Sequence, residues 1–170
     1  MKAFVINKYS KKQSLQSVEL SLPDIKDNDI LVEIHAAGVN VLDSKIKTGE
    51  FKLILPYKLP LIFGHDAAGV VVRTGKNVKK FKTGDQVYAR VSDHRIGTFA
   101  QFISVDEKDA AFKPKNLSME EAASIPLVGL TAWQVLVERA AVKSGQKVFI
   151  QAGSGGVGTF GLQLAKYLGA

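Results

Sequence analysis

The sequence predicts a mostly β barrel followed by the first βα unit of a doubly wound α/β domain, whose parallel sheet is incomplete in this chain. Two observations favour this fold class. Roughly the first hundred residues contain short runs rich in Val, Ile, Phe and Tyr, separated by Pro, Gly, Asn and Asp. Beyond Asn116 the apolar residues recur at helical spacing, and the segment 151–170 reads as the end of a strand, a glycine-rich turn and a helix.

The β region is predicted from its strands taken in order. The run 30–36 alternates, with Val32, Ile34 and Ala36 on one face of the strand. Many short strands without long helices between them indicate a compact antiparallel barrel. The predicted strands are KAFVI (2–6), LQSVEL (15–20), ILVEIHA (30–36), AGVVVRTG (68–75), DQVYARV (85–91) and TFAQFISV (98–105).

The helical region starts with a capping signal. Ser118 is followed three residues later by Glu121, which predicts a capping box and a helix over MEEAAS. The spacing of LVGLTAWQVLVERAAV predicts a second helix that ends at KSGQ. We therefore place the domain boundary between Pro114 and Pro126, and divide the chain into domains 1–120 and 121–170.

The last predicted unit is a strand, a turn and a helix. KVFIQ (147–151) is almost continuously apolar, as expected of a strand buried on both faces of a parallel sheet. A helix is predicted over 159–168, with Gly169 at its C-terminal cap.

Composition and charge exclude several classes of protein. No apolar run has the length of a membrane span and no signal peptide is evident, so no membrane partner is predicted. The chain has no cysteine, which excludes disulfides and thiolate metal sites and is consistent with a cytoplasmic location. The net charge of +7 comes mostly from dispersed lysines. The densest stretch, KNVKKFK (76–82), is interpreted as a solvated turn and not as a nucleic-acid site.

The glycine turn carries the clearest chemical signal. Gly153, Ser154, Gly155, Gly156, Val157 and Gly158 fit the pattern G-x-G-x-x-G. In such a turn the glycines allow a tight bend, close approach to a pyrophosphate and close packing of helix on strand. The helix N-terminus then offers free N–H groups to the anion. The alternative is a tight βα turn that binds nothing.

Five stretches, in this order, carry a family resemblance: AAGVNVLDSKIKTG, LPLIFGHDAAGVVVRTGKNVKKFKTGDQVYA, GTFAQF, AASIPLVGLTAW and QAGSGGVG. They resemble the medium-chain dehydrogenase/reductase superfamily, and most closely its zinc-free quinone oxidoreductase branch, which includes zeta-crystallin and alkenal and enoyl reductases. The resemblance implies a GroES-like barrel followed by a Rossmann domain. It also implies that this chain is the N-terminal portion of a longer protein, or a short chain that a partner completes.

The resemblance also bears on metal and cofactor. Zinc-dependent members place three ligands at positions that here read Asn40, His65 and, approximately, Leu127, a set that cannot hold catalytic zinc. No metal is therefore expected. Asn40 is implied as a hydrogen-bond donor in the nicotinamide cleft, or as a residue that only shapes its turn. Thr131 is implied beside the nicotinamide, or as a helix residue bonded to its own backbone.

His65 is implied either as a catalytic group that positions substrate or shuttles a proton, or as a hydrogen-bonded histidine without chemistry. In zinc-binding relatives the aspartate at the position of Asp43 supports the histidine ligand, so an Asp43–His65 hydrogen bond is expected to persist here. Asp66 is interpreted as a structural acceptor. Some enoyl-reducing relatives use a tyrosine proton donor where this chain has Phe51, and Tyr57 cannot be assigned that role from the sequence.

Together these observations predict a zinc-independent NAD(P)H-dependent reductase that transfers hydride to a quinone or an activated alkene. NADP(H) is favoured over NAD(H), although the residue that decides between them lies about 20 positions beyond the glycines. The full-length protein is expected to be a cytoplasmic homodimer with a small-molecule substrate. The alternatives are a zinc-free alcohol or aldehyde dehydrogenase and a non-catalytic, crystallin-like member. His35 and His94 are interpreted as a strand-face residue and a loop residue.

Overall fold

The computed structural model describes residues 1–170, which form two compact units, Met1–Ser124 and Ile125–Ala170. The predicted domains 1–120 and 121–170 meet four residues before the boundary between these units. The difference arises from a short helix, α2 (Met119–Ala123), which packs on the sheet of the first unit.

The first unit contains two open antiparallel sheets. A bridge between Ala3 and Ala100 joins the first sheet to the segment that leads into β7. The first sheet has the order β2 (Gln16–Glu19), β1 (Lys2–Ile6), β4 (Leu61–Ile62). The second has the order β7 (Phe102–Asp106), β3 (Asp29–Gly38), β5 (Asp66–Thr74), β6 (Gln86–Arg90), β8 (Ala110–Phe112).

The six strands predicted for the β region correspond to β1, β2, β3, β5, β6 and β7, while two strands and one α-helix of this unit were not predicted. Strands β4 and β8 have only two and three residues, too few for a periodic pattern to be recognised. Helix α1 (Val41–Thr48) is short as well, and it buries only Asp43 and Ile46.

Three apolar clusters form the core of the first unit, and one of them packs α2 on the sheet; the other two position the site. The larger cluster lies on the five-stranded sheet and includes Ile30, Val32, Val71 and Val87. The smaller one comprises Ile6, Ile46 and Phe63, with partly buried side chains from the loop after α1 packed against it. This second cluster fixes α1 and the start of β5, the two elements that carry the candidate polar site.

The second unit is helical. Helix α3 (Pro126–Trp133) continues into a π-helical segment, Gln134–Arg139, in which the Ala140 N–H donates to the Val135 carbonyl at 2.8 Å. Helix α4 (Gly156–Tyr167) packs against α3 and ends at Gly169, whose φ of 83° is the left-handed conformation of a helix C-terminus. The predicted helix and its terminal glycine are therefore present. No helix of the chain is both long enough and apolar enough to cross a membrane.

The predicted strand KVFIQ (147–151) does not form as a strand. Residues 147–150 have no regular secondary structure, and Phe149 is 92% exposed. A strand is defined by hydrogen bonds to a neighbour, and no other strand of residues 1–170 pairs with this segment. Its apolar residues have the pattern of a buried strand without a partner for the backbone.

Candidate functional site

Asn40 stands directly before α1, and two carboxylates fix it. Its backbone N–H donates to Asp43 Oδ2 at 2.8 Å, as expected for the N-terminus of a helix. Its side-chain Nδ2 donates to Asp66 Oδ2 at 3.0 Å. A carboxylate only accepts, so this bond determines which end of the amide is nitrogen. The second N–H of Nδ2 is left to donate elsewhere, and Asp66 is the acceptor that the sequence predicted.

Asp43 also binds His65, as the family resemblance implies. Asp43 Oδ1 lies 2.7 Å from His65 Nδ1, and both residues are buried. The two oxygens of one carboxylate thus join the start of α1 to the start of β5. In a neutral ring, a carboxylate acceptor places the proton on Nδ1 and leaves Nε2 as an acceptor.

The other ring nitrogen of His65 has no hydrogen-bond partner although it is buried. The nearest acidic group is Asp93, whose Oδ1 lies 3.7 Å from His65 Nε2, beyond hydrogen-bond distance. Asp93 is held by Arg90, whose Nη2 donates to the same oxygen at 2.6 Å. His65 is therefore anchored at Nδ1 and open at Nε2, beside an ion pair.

Sequence reasoning missed Asp93, Arg90 and the environment of Tyr57. The Tyr57 hydroxyl is buried without a partner, and burial, followed by the negative charge of Asp93, raises the pKa of Tyr57 to about 12. No spacing in the sequence links Asp93 and Arg90 to His65, because 25 or more positions separate them from it. Only the pairing of β5 with β6 brings Asp93 and Arg90 close to His65.

A buried ion pair holds the turn that carries Asp93. The guanidinium of Arg95 contacts both oxygens of Asp29, at 3.0 and 2.6 Å, and the Ser104 hydroxyl donates to Asp29 at 2.9 Å. The Arg95 hydrogen bond is the largest cause of a lowered Asp29 pKa, about 2 instead of 3.8. The short turn Asp93–Arg95 is therefore tied to β3 and β7.

The residues present do not fit a catalytic zinc ion. No group of three or more His, Cys, Asp or Glu side chains has the geometry to hold a metal ion. Of the three positions that match zinc ligands in relatives, only His65 has a suitable donor, and Asn40 is engaged with Asp66. His35 is an exposed residue of β3, and His94 is an exposed residue of the turn Asp93–Arg95.

The glycine turn in the second unit has the shape that the sequence pattern predicts. A Cβ on Gly158 would lie 2.3 Å from the Ala152 carbonyl oxygen and 2.7 Å from Gly153 Cα, so helix and turn approach too closely for any side chain. Helix α4 begins after Gly155 with no side-chain cap. Its first N–H groups therefore have no side-chain acceptor, and they lie at the exposed turn that includes Ser154, Gly156 and Val157.

Thr131 lies on α3 of the same unit, and its hydroxyl donates to the Leu127 carbonyl at 2.7 Å. The sequence analysis gave two interpretations of Thr131, and this bond to the backbone of its own helix is one of them. Phe51 belongs to the first unit and packs against the cluster of Ile6, Ile46 and Phe63. The position at which some relatives carry a tyrosine is therefore apolar in this chain.

The β domain and the glycine turn define a class of protein, a GroES-like domain followed by the start of a dinucleotide-binding unit. Residues 26–115 match the family described as alcohol dehydrogenase GroES-like domain. The chain belongs to this family, and its relatives are quinone and alkenal oxidoreductases of the medium-chain dehydrogenase/reductase superfamily.

Three similar proteins illustrate the relationship. The chain is 39% identical to 2-methylene-furan-3-one reductase of Solanum lycopersicum and 38% identical to NADPH-dependent alkenal/one oxidoreductase, chloroplastic, of Arabidopsis thaliana; each match covers 99% of the chain and 45% of the relative. The structure of Escherichia coli quinone oxidoreductase complexed with NADPH matches with a TM-score of 0.88 and 32% identity, over 100% of the chain and 51% of that protein. The chain thus spans about half the length of the proteins it matches.

Proposed function

We propose that the chain forms the first half of a zinc-independent, NAD(P)H-dependent reductase that acts on quinones or activated alkenes. The observation that carries the proposal is the glycine turn, with its close contact at Gly158 and the uncapped N-terminus of α4. Two similar proteins, an alkenal/one oxidoreductase and a quinone oxidoreductase, support the substrate class. The activity belongs to the full-length protein.

The turn fits a dinucleotide. The exposed N–H groups at the start of α4 would hold the pyrophosphate, because the helix dipole and the free donors both favour negative charge. NADP(H) is proposed over NAD(H), since one relative is named NADPH-dependent and one similar structure contains NADPH. When bound, the reduced nicotinamide supplies the hydride.

The chain's own polar residues would orient the substrate oxygen. The second N–H of Asn40 can donate to an oxygen on which negative charge develops, and its bond to Asp66 fixes the amide in advance. His65 is held by Asp43 and offers Nε2 only as an acceptor, for an O–H or N–H group. In this proposal the amide N–H of Asn40 replaces the zinc ion as the group that polarises the substrate oxygen.

The role of Asn40 is tested in the full-length protein by following nicotinamide absorbance with NADPH and a quinone or an enone. We expect Asn40→Ala to lower kcat about 100-fold, the usual loss when one donor to a developing charge is removed. Asn77→Ala, an exposed asparagine on a turn, is the matched control and should leave kcat unchanged. Equal rates for wild type and Asn40→Ala would contradict the role given to Asn40.

Zinc independence has its own test. Protein purified without a histidine tag should contain no stoichiometric zinc and should keep its activity in a chelator. Zinc that survives the chelator at one equivalent would overturn this part of the proposal.

The state of the whole protein is also part of the proposal. We propose a homodimer, which sedimentation equilibrium would test. The cytoplasm remains the proposed location, although some relatives carry the word chloroplastic or mitochondrial in their names. Fractionation of cells that express the tagged full-length gene would decide between these compartments.

A further inference from the structure

One surface of the first unit carries most of the net charge. Segment 8–12 contains three lysines and segment 41–58 contains four, against only Asp43 and Glu50. These 23 residues therefore carry a net +5 of the chain's formal +7, while the other 147 residues share +2. We call the surface formed by segments 8–12 and 41–58 the lysine surface.

The two segments of the lysine surface are in direct contact. The Ser10 N–H donates to the Lys47 carbonyl at 2.9 Å, and the Tyr9 hydroxyl donates to the Tyr57 carbonyl at 3.2 Å. The Lys52 ammonium lies 5.8 Å from the centre of the Tyr9 ring. The two lysine-rich segments therefore lie side by side.

The charge of the lysine surface is not compensated. None of its seven lysines forms an ion pair, and Asp43 is buried against His65. The densest lysine run of the sequence, 76–82, differs. There Lys76 pairs with Asp27 at 3.0 Å, and the Lys80 ammonium donates to the Ala110 carbonyl at 2.6 Å. The free positive charge therefore lies on the lysine surface and not in the run that composition alone would select.

At its tip the lysine surface also exposes aliphatic side chains. Leu53 is 98% exposed and Ile54 is 74% exposed, and exposed lysines flank them at positions 52 and 58. Exposed aliphatic groups beside basic ones are the two features that together hold a protein at an anionic lipid surface. Neither feature is sufficient alone.

We propose that the lysine surface binds anionic lipid membranes peripherally, with Leu53 and Ile54 entering the headgroup region. A single-stranded nucleic acid is less well matched, because the aromatic side chains of Tyr9, Phe51 and Tyr57 are partly buried against the cluster of Ile6, Ile46 and Phe63 and do not form a row of exposed rings. A second copy of this surface would meet the first with like charge. The sequence predicted no membrane partner because no run can span a bilayer, but peripheral binding requires no such run.

The location of the lysine surface suggests its use. Tyr57 closes segment 41–58 and places its hydroxyl near Asp93, in the polar site around His65. Binding at a bilayer would bring that site to lipophilic substrates, such as the quinones and enones of the proposed function. The binding itself does not depend on that function, and it is measured without cofactor or substrate.

The test uses the full-length protein and flotation with vesicles of phosphatidylcholine containing 30% phosphatidylglycerol. We expect binding to these vesicles, at least tenfold weaker binding to pure phosphatidylcholine, and release by high salt. Failure to float with the anionic vesicles overturns the proposal. So does tighter binding to an RNA homopolymer through the same lysines.

Matched variants locate the binding. Lys52→Gln/Lys58→Gln should weaken binding about tenfold or more, while Lys79→Gln/Lys82→Gln, which removes the same charge from the stretch 76–82, should not. Leu53→Ser/Ile54→Ser should weaken binding about tenfold, and Leu20→Ser/Leu22→Ser, an exposed pair elsewhere, should not. Equal losses in the test and control variants would overturn the assignment to this surface. All the altered side chains are exposed, so circular dichroism should be unchanged.

Discussion

The two units of this chain are built from residues of similar character but differ in how they bury them. In the first unit, strands from residue 2 to residue 112 pair within the chain, and the valines and isoleucines of the sheet are buried. In the second unit Phe149 is 92% exposed and Trp133 is 46% exposed. The residues of segment 147–151 are mostly apolar, yet the segment forms no strand. The difference shows that an apolar run becomes a strand only when another strand accepts its backbone hydrogen bonds.

The two units also differ in their buried polar groups. The first unit buries Asp29, Asp43, His65 and Asp66, and each of these has a charged or hydrogen-bonded partner. Buried polar groups without partners are expensive, so these contacts specify one arrangement of the strands. The second unit is instead specified locally, by the glycine contacts of one turn and by Gly169 at the end of α4. Four variants compare contacts between distant residues with contacts inside one turn or helix.

The largest effect is expected in the buried ion pair of the first unit. Asp29→Asn leaves Arg95 without its carboxylate, and because Asp29 is buried while Arg95 is partly exposed, we expect a loss of about 2–3 kcal/mol of unfolding free energy. Asp27→Asn is the matched control, because its pair with Lys76 is exposed and contributes little. Urea unfolding of the full-length protein measures both. A small loss in Asp29→Asn, equal to that of the control, would break the contrast.

The same pair predicts a dependence on pH. The pKa of Asp29 in the folded state is about 2, below its ordinary value of 3.8, so its contribution is complete above about pH 4 and is lost as the pH falls towards 2. The wild type should lose about 2 kcal/mol in this window from this group, and Asp29→Asn should not show that component. Unfolding free energies at pH 5, 4, 3 and 2 would measure the difference.

A smaller effect is expected at the glycine turn of the second unit. Gly158→Ala places a Cβ 2.3 Å from the Ala152 carbonyl oxygen, and the strain should widen the turn and weaken NADPH binding about 10- to 100-fold. Gly161→Ala, in the same helix, meets only the flexible end of Ile150 at 3.3 Å and serves as the control. Titration calorimetry of the full-length protein measures both affinities. Unaltered affinity in Gly158→Ala would mean that the turn does not hold the cofactor.

Asp43→Asn should have an intermediate effect on stability. The two donors contact different oxygens of Asp43, and an amide replaces one of these oxygens with an NH2 group, so it can accept at the position of His65 or at that of the Asn40 N–H, but not at both. We expect a loss of about 1–3 kcal/mol and a change of the His65 tautomer, which nitrogen-15 NMR of the ring detects. A purely structural role would change the stability and leave the ring spectrum as it is.

The smallest effect is expected at the start of α2. Ser118 Oγ accepts from the Glu121 N–H at 3.1 Å, and Glu121 Oε2 accepts from the Ser118 N–H at 2.8 Å, so the predicted capping box is present. Ser118→Ala should cost about 1 kcal/mol, while Glu121→Gln, which keeps the reciprocal bond, should cost less. Equal losses would show that the carboxylate charge, and not the capping geometry, stabilises this helix.

The sequence by itself determined the local features of this protein. The six longer strands, the Ser118–Glu121 cap, the glycine turn and Gly169 at the end of α4 were all predictable, because propensity, capping and close backbone approach depend on residues near one another in the chain. The Asp43–His65 bond was also expected, but from the resemblance to a family. Its geometry required the structure.

Only the tertiary structure decided the rest. The pair of Asp29 with Arg95 joins positions 66 residues apart, and Asp93 reaches His65 through the pairing of β5 with β6. No periodicity encodes such contacts, since they depend on which strands become neighbours. The same reason explains the wrong prediction at 147–151, where the pattern was that of a strand but the partner backbone is not among residues 1–170. The local sequence determines which secondary structure a segment can form, and the neighbouring segments in the fold determine whether it forms.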